Sequence, residues 1–307
     1  MGKRRIAAIG SAVLILISIV SLLINSLQFG LDFTSGISVR LNYPQAVVPV
    51  EVQTTLRDNG YPSAQVVSFG SERDIRVILA IPSSEEGDQA SQAVQVGEDI
   101  AALLSRLDNA QVTLEGSDFV SAKAGADLAE KSGMGLLVAL GLVMIYITVR
   151  FQYKFAVGAV AALAHDVIIT LGWFSIFKIP FELPVLAALL AVIGYSLNDT
   201  IIVMDRIREN FRRSRSGTPV QLVNQSVNQT LSRTLVTSGT TLMVVVVLLI
   251  FGGEAAYGFA VALTVGIGVG TFSSIYIASA ITLAMNVTRE DLALPVKEGA
   301  EQQAAQV

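Results

Sequence analysis

The sequence predicts an α-helical polytopic membrane protein of six transmembrane helices, with an α/β ferredoxin-like external domain inserted after the first. Three observations carry that prediction. The 307 residues are 52% hydrophobic and only 15% charged, where soluble domains usually carry about 25% charged residues. Six apolar runs are each long enough to cross about 30 Å of hydrocarbon, which takes roughly 20 residues. Between the first two runs lies a polar, acidic stretch, 29–131, with strand-like and helix-like patterns.

The first run, 6–27, follows "KRR" and reads as an uncleaved helix, giving a first unit of 1–28. It is longer than a signal-peptide core, and "INSLQ" lacks a small-x-small cleavage site. In the stretch after it, "GISVRLNY" (36–43) alternates as a strand does. "VPVEVQTTLRDNG" (48–60) has helical spacing and a Gly60 stop. "AQVVSFG" (64–70) and "DIRVILAIP" (74–82) are β-rich runs joined by a "SER" turn. "ASQAVQVGEDIAALLSRL" (90–107) is a second amphipathic helix, and "AQVTLEGSDFV" (110–120) a fourth strand. The order β-α-β-β-α-β is the split arrangement of ferredoxin-like domains. "SSEEGDQASQ" (83–92) is a polar loop, and "DFVSAKAGADLAEKSG" (118–133) links the domain back to the membrane.

The remaining spans form a five-helix bundle over 132–288: about 133–149, 155–177, 183–204, 234–252 and 256–285. Thr218 caps and Pro219 opens an amphipathic stretch that leads into the fifth span. Residues 289–307 read as a cytoplasmic tail. The basic residues Lys3, Arg4, Arg5, Arg150, Lys154, Arg206, Arg208, Arg212, Arg213, Arg215, Arg233, Arg289 and Lys297 collect on one side, so both termini are expected in the cytoplasm. Segment 29–131 then lies outside. It holds 7 basic and 15 acidic residues, a balance of −8 that leaves +4 for the rest. Its acids sit where a solvated face would put them, and no basic patch for nucleic acid is evident.

Several reaction classes drop out. With no cysteine there is no disulfide, thiolate metal site or cysteine nucleophile, and one histidine makes a multi-histidine metal site impossible. No covalent catalysis and no cofactor are expected. "GIGVGTFSS" in the sixth span has a small-xxx-small pair, Gly266 and Gly270, which reads as close helix packing. A phosphate loop would need a strand-to-helix context.

The informative residues are polar ones inside the spans, each costing roughly 2.5–3.5 kcal/mol at a helix centre when charged. Asp199 lies 16 residues into the fourth span, about 24 Å deep, with Tyr195, Asn198 and Ile202 along one face. Arg233, on the fifth, either snorkels to water or reaches toward Asp199, with Thr237 one turn above it. His165 and Asp166 lie near the midplane of the third. An Asp199–Arg233 pair either fixes helix packing or handles protons or ions. Asp166 divides evenly between those roles, and His165 reads as a packing histidine. A proton carrier needs a buried carboxylate and a cation that approaches it in one conformation.

Five motifs carry a resemblance: "FGLDFTSGI" (29–37), "VRFQYKFAVGAVAALAHDV" (149–167), "IGYSLNDTIIVMDRIREN" (193–210), "QTLSRTLVTSGTTL" (229–242) and "VGTFSSIYIAS" (269–279). In this order they resemble the SecD/SecF family of bacterial protein-export membrane proteins, within the RND superfamily. One position departs: Ser35 stands where the family usually has the first of two glycines.

The resemblance implies an accessory SecF-type subunit of the Sec preprotein translocase in the bacterial inner membrane. Such a subunit pairs with SecD and meets the SecYEG channel, with YajC or YidC. It acts on unfolded preproteins, using the proton motive force to promote late translocation and release on the outer side. The family's proton-pathway aspartate and arginine map onto Asp199 and Arg233, and its "GLDF" aspartate onto Asp32, a hinge candidate. Half of an RND-type small-molecule/proton antiporter, or a passive translocon scaffold, are the alternatives. The coupling ion, proton or sodium, stays open.

Overall fold

A computed structural model describes residues 4–33, 36–69, 71–79, 89–108, 110–120, 122–214 and 216–288. Ser35, the polar loop 83–92 up to residue 88, and the tail 289–307 fall outside the described residues. The fold class is the expected one: long apolar helices with a small four-stranded antiparallel sheet inserted after the first.

Helix α1 (Arg4–Asn25) leads through a 3-10 turn (Leu31–Phe33) into the inserted α/β domain. There β1 (Gly36–Asn42), α2 (Pro49–Asp58), β2 (Gln65–Phe69), β3 (Ser71–Leu79), α3 (Gln89–Leu107) and β4 (Thr113–Val120) follow in the ferredoxin-like order. The sheet order is β2-β3-β1-β4, antiparallel throughout. Strand periodicity decides the core. Ile37, Val39 and Leu41 of β1 lie opposite Leu79, Val77 and Ile75 of β3, and all are buried. Val52 and Leu56 of α2 and Ala93, Ile100 and Leu104 of α3 cover that face. The other face carries Arg40 and Arg76, opposite one another. The expected "SER" turn is instead the start of β3: the strand runs from Ser71, and a register shift at Ser68/Phe69 absorbs the reversal.

Among the described residues, six helices are long and apolar enough to cross a membrane. After α1 come α4 (Ala122–Arg150), α5 (Tyr153–Phe177), α6 (Leu183–Arg213) and α7 (Pro219–Phe251). The last span is built from α8 (Gly253–Phe272), a π-helical turn (Ser273–Ile277) and α9 (Ala278–Ala284). Most of the expected domain-to-membrane link, 118–133, is thus the first turns of α4, and the last span is interrupted. At the start of α7, Thr218 and Gln221 form a reciprocal capping box, with Pro219 in the first turn.

Helix α5 is the centre of the bundle: 67% of its apolar window is buried, against 6% for α4. It runs parallel to α1 and in register with it. Ser11 meets His165 at 3.1 Å and Ser21 meets Ser175 at 2.9 Å, both at a sequence separation of 154. Ser18 and Gly172 lie at the same offset, and a Cβ on Gly172 would stand 2.2 Å from that of Ser18. Small residues let the two backbones approach, where dispersion contacts and hydroxyl hydrogen bonds hold them together.

Candidate functional site

Two carboxylates are buried inside the helical bundle, and their surroundings differ. Asp199, on α6, is 1% exposed. Its Oδ2 accepts a hydrogen bond of 3.3 Å from Ser238 of α7, whose hydroxyl in turn accepts one of 2.8 Å from Thr271 of α8. Its Oδ1 is buried with no hydrogen-bond partner among the described residues. An acceptor left empty in a low-dielectric interior is costly, so this oxygen is the natural place for an arriving proton.

The expected partner, Arg233, is not in contact. No ion pair joins it to Asp199 among the described residues, and Arg233 is exposed on the bundle surface. Helix geometry explains this. Thr230, Thr234 and Ser238 form the buried stripe of α7 at four-residue steps, and Arg233 sits about 140° around the helix from Ser238. Thr237 turns its hydroxyl to the carbonyls of Arg233 and Thr234. Asn198 is also exposed, so the line Tyr195–Asn198–Asp199 splits, with Asp199 inward and Asn198 outward. Arg233 and Asn198 are therefore polar groups on the outside of this chain's own bundle. Toward the C-terminal end of α6, Arg206 pairs with Glu209 and donates to Gln229 of α7, while Asp205 pairs with Arg208.

Asp166, on α5, is also 1% exposed but fully engaged. Its Oδ2 accepts from Ser196 of α6 (2.7 Å) and from Ser273 in the π-helical turn (2.8 Å). Its Oδ1 lies 2.9 Å from Nδ1 of His165, whose Nε2 lies 3.1 Å from Ser11 of α1. The two neighbours on α5 thus share one cluster. Ser11, Ser196, Ser238, Thr271 and Ser273 were not legible as site residues. The available signal was the recurrence of hydroxyls at helical spacing, such as 11, 18 and 21, within apolar runs.

Asp32, the hinge candidate, occupies a third position, at the junction between the inserted domain and the bundle. Its Oδ2 accepts from the backbone N–H of Leu183, the first residue of α6 (2.9 Å). Glu182 stands at the cap position but makes no side-chain cap, so Asp32 supplies it from across the junction. Around it, Gly30 donates to the Phe181 carbonyl and Phe181 to that of Gln28, with the Phe29, Phe33 and Phe181 rings packed together. A Cβ on Gly30 would fall 2.5 Å from Glu182 Cγ, which accounts for glycine there. Asp32→Ala should destabilise this junction by about 1 kcal/mol, as lost caps do. Asp32→Asn, which keeps an acceptor, should not. Thermal unfolding of the two variants in detergent checks this, and equal losses would exclude the cap role.

Glu182 lies between α5 and α6, 3.9 Å from Arg76 on the open face of the sheet. Burial raises its carboxyl above the usual glutamate range; Arg76 pulls it down and Asp32 pushes it up, and burial prevails. The sign follows from linkage. A folded-state value above the unfolded one contributes stability that is complete below the unfolded value and lost as pH climbs through the raised one. Between the ordinary glutamate value and neutrality, thermal stability should therefore fall in the parent chain. Glu182→Gln should flatten that slope, and an unchanged slope would assign it to other groups.

The profile of a family described as "Protein export membrane protein SecD/SecF, C-terminal" matches residues 99–288. The protein translocase subunit SecF of Vibrio alginolyticus is 43% identical over 299 residues, covering 97% of this chain and 93% of that one. That of Pseudomonas aeruginosa is 42% identical over 296 residues, covering 96% and 94%. A crystal structure of SecDF from Thermus thermophilus, described as a translocon-associated membrane protein, superposes with a TM-score of 0.81 at 35% identity. That match covers 93% of this chain and 38% of the longer one. SecDF in a super-membrane-facing form superposes at 0.66 with 32% identity, covering 100% and 40%. This chain thus corresponds to less than half of each SecDF chain.

Proposed function

The chain belongs to the SecD/SecF family of protein-export membrane proteins, and from that premise we propose that it is a SecF-type accessory subunit of the Sec preprotein translocase. It pairs with a SecD-type partner in the bacterial inner membrane, with both termini in the cytoplasm. It draws on the proton gradient to promote late translocation and release of preproteins at the outer face. SecYEG is the channel it serves, with YajC or YidC as neighbours. Its work is coupling rather than bond chemistry, and it needs no cofactor.

One observation supports the proton-driven part most directly: Asp199 is buried with one oxygen unpartnered and the other at the end of a Ser238–Thr271 hydroxyl pair. A proton taken from the outer side neutralises that carboxylate, and the hydroxyls reorganise around it. Each proton falling through 100 mV supplies about 2.3 kcal/mol for the movement of helices. Arg233 and Asn198, polar and outward-facing on this chain alone, fit a face covered by the partner's helices, since lipid would not accept them cheaply. The test is gradient-stimulated export by an assembled complex carrying Asp199→Asn. Stimulation equal to the parent would favour a passive scaffold.

A further inference from the structure

We infer that Asp166 is a positioning residue that ties the helix bearing Asp199 to α1, the helix leading into the external domain. The inference rests on the proton-driven reading above.

The two buried carboxylates are complementary. Asp199 has an empty acceptor, so its environment changes when a proton arrives. Asp166 has both oxygens engaged by side chains from α6, the π-helical turn and α5 itself. A saturated buried acceptor resists rearrangement, because breaking any one bond strands a polar group away from water. Ser196, its donor on α6, lies three residues before Asp199, less than one turn away. A rotation or slide of α6 at Asp199 therefore strains the Ser196–Asp166 bond directly.

The π-helical turn belongs to the same device. Widening one turn brings two consecutive serines to the interior. Ser273 donates to Asp166, while Ser274 donates to the Ser196 carbonyl (3.1 Å) and bonds the Thr200 hydroxyl (2.8 Å). Gly270 leaves the space for this meeting. A Cβ there would come within 3.2 Å of Ser196 and 3.4 Å of Asp166 Oδ2. The last span thus grips α6 and α5 at one level.

From Asp166 the contacts continue to α1. His165 bridges Asp166 to Ser11, and the Ser18–Gly172 and Ser21–Ser175 contacts hold α1 along the rest of α5. Helix α1 then enters the external domain through Gly30 and Asp32. The physical route runs from α6 through Asp166, His165 and Ser11 to α1, a contiguous hydrogen-bonded chain between the two elements. The charged or titratable groups around the two carboxylates are His165 beside Asp166 and Arg233, whose field reaches Asp199 from α7.

The experiment uses the full chain with its SecD-type partner in vesicles, reading assembly, gradient-driven proton flux and gradient-stimulated export for each variant. Asp166→Asn should assemble and conduct protons, yet lose export stimulation by about tenfold, a split that merely weaker packing does not produce. Ser273→Ala, which keeps the carboxylate, should show the same split at about threefold and decides the matter if Asp166→Asn does not assemble. Flux and export that both stay at parent values, or fall together in an assembled complex, overturn the inference. Asp199→Asn runs in parallel: parent-level flux and export there would refute the proton-driven reading itself.

Discussion

Replacing Asp199 by asparagine is expected to leave the complex assembled and to remove its response to the proton gradient. The side chain keeps its shape and one carbonyl acceptor, so the bond from Ser238 can persist. No charge then needs burial, and the roughly 2.5–3.5 kcal/mol that a carboxylate costs inside a bilayer disappears, so stability should hold or rise. What disappears with it is the proton-accepting oxygen, Oδ1, now without a partner. One proton at 100 mV represents about 2.3 kcal/mol, a bias of roughly fiftyfold, which sets the scale of stimulation lost for each proton coupled. Export into vesicles with and without an imposed gradient measures it, alongside the amount of complex recovered. Reduced export in proportion to reduced assembly would refute this account, because the loss would then be structural. Replacing the proton gradient by a sodium gradient in the same vesicles identifies the coupling ion.

The second large effect is expected at Gly172. A Cβ there would stand 2.2 Å from Ser18 Cβ, 2.3 Å from its Oγ and 2.7 Å from its Cα. Rotating the serine about χ1 moves only Oγ; Cβ and Cα are placed by the backbone, so those two clashes remain. Helix α1 must back away from α5, and the bonds at Ser11–His165 and Ser21–Ser175 open with it. Alanine in a helix gains up to about 1 kcal/mol over glycine, so the sign depends on which term wins. Against a rigid backbone the overlap wins. Gly172→Leu should cost about 3 kcal/mol or more. Gly141, with nothing within 4 Å of its would-be Cβ, is the control, and Gly141→Ala should be neutral or stabilising. The chain has no cysteine, so cysteines placed at 21 and 175 report the helix pair directly. They should cross-link in the parent chain and fail to do so with Gly172→Leu. Undiminished cross-linking would show that the helices accommodate the side chain.

Legibility differed by level. Apolar run length and strand alternation are local properties, and they marked the six spans, the β-α-β-β-α-β order and the Thr218/Pro219 helix start. Boundaries shifted where neighbouring structure overrode local pattern. Ser71 joined β3 by pairing with Phe69 of β2, Glu72 and Arg73 followed by accepting from Val47 and Tyr43, and 122–133 became helix by continuing α4. Asp32 reads in the chain only as a hinge candidate beside glycine, and the approach of the α5–α6 junction adds its cap on Leu183.

Burial depth along one helix can be counted, so the chain alone determined that Asp199, Asp166 and His165 lie inside the apolar spans and are expensive there. The direction each side chain faces depends on how helices rotate against one another, and no spacing rule sets that. Only the packed structure decided that Ser238 takes the place at Asp199 that charge complementarity assigns to Arg233. The same packing filled Asp166 with hydroxyl partners and left an oxygen of Asp199 empty. Charge attraction is long-ranged and can be read from composition. Hydrogen-bond satisfaction requires donors within about 3 Å, and distance on that scale is set by tertiary contact.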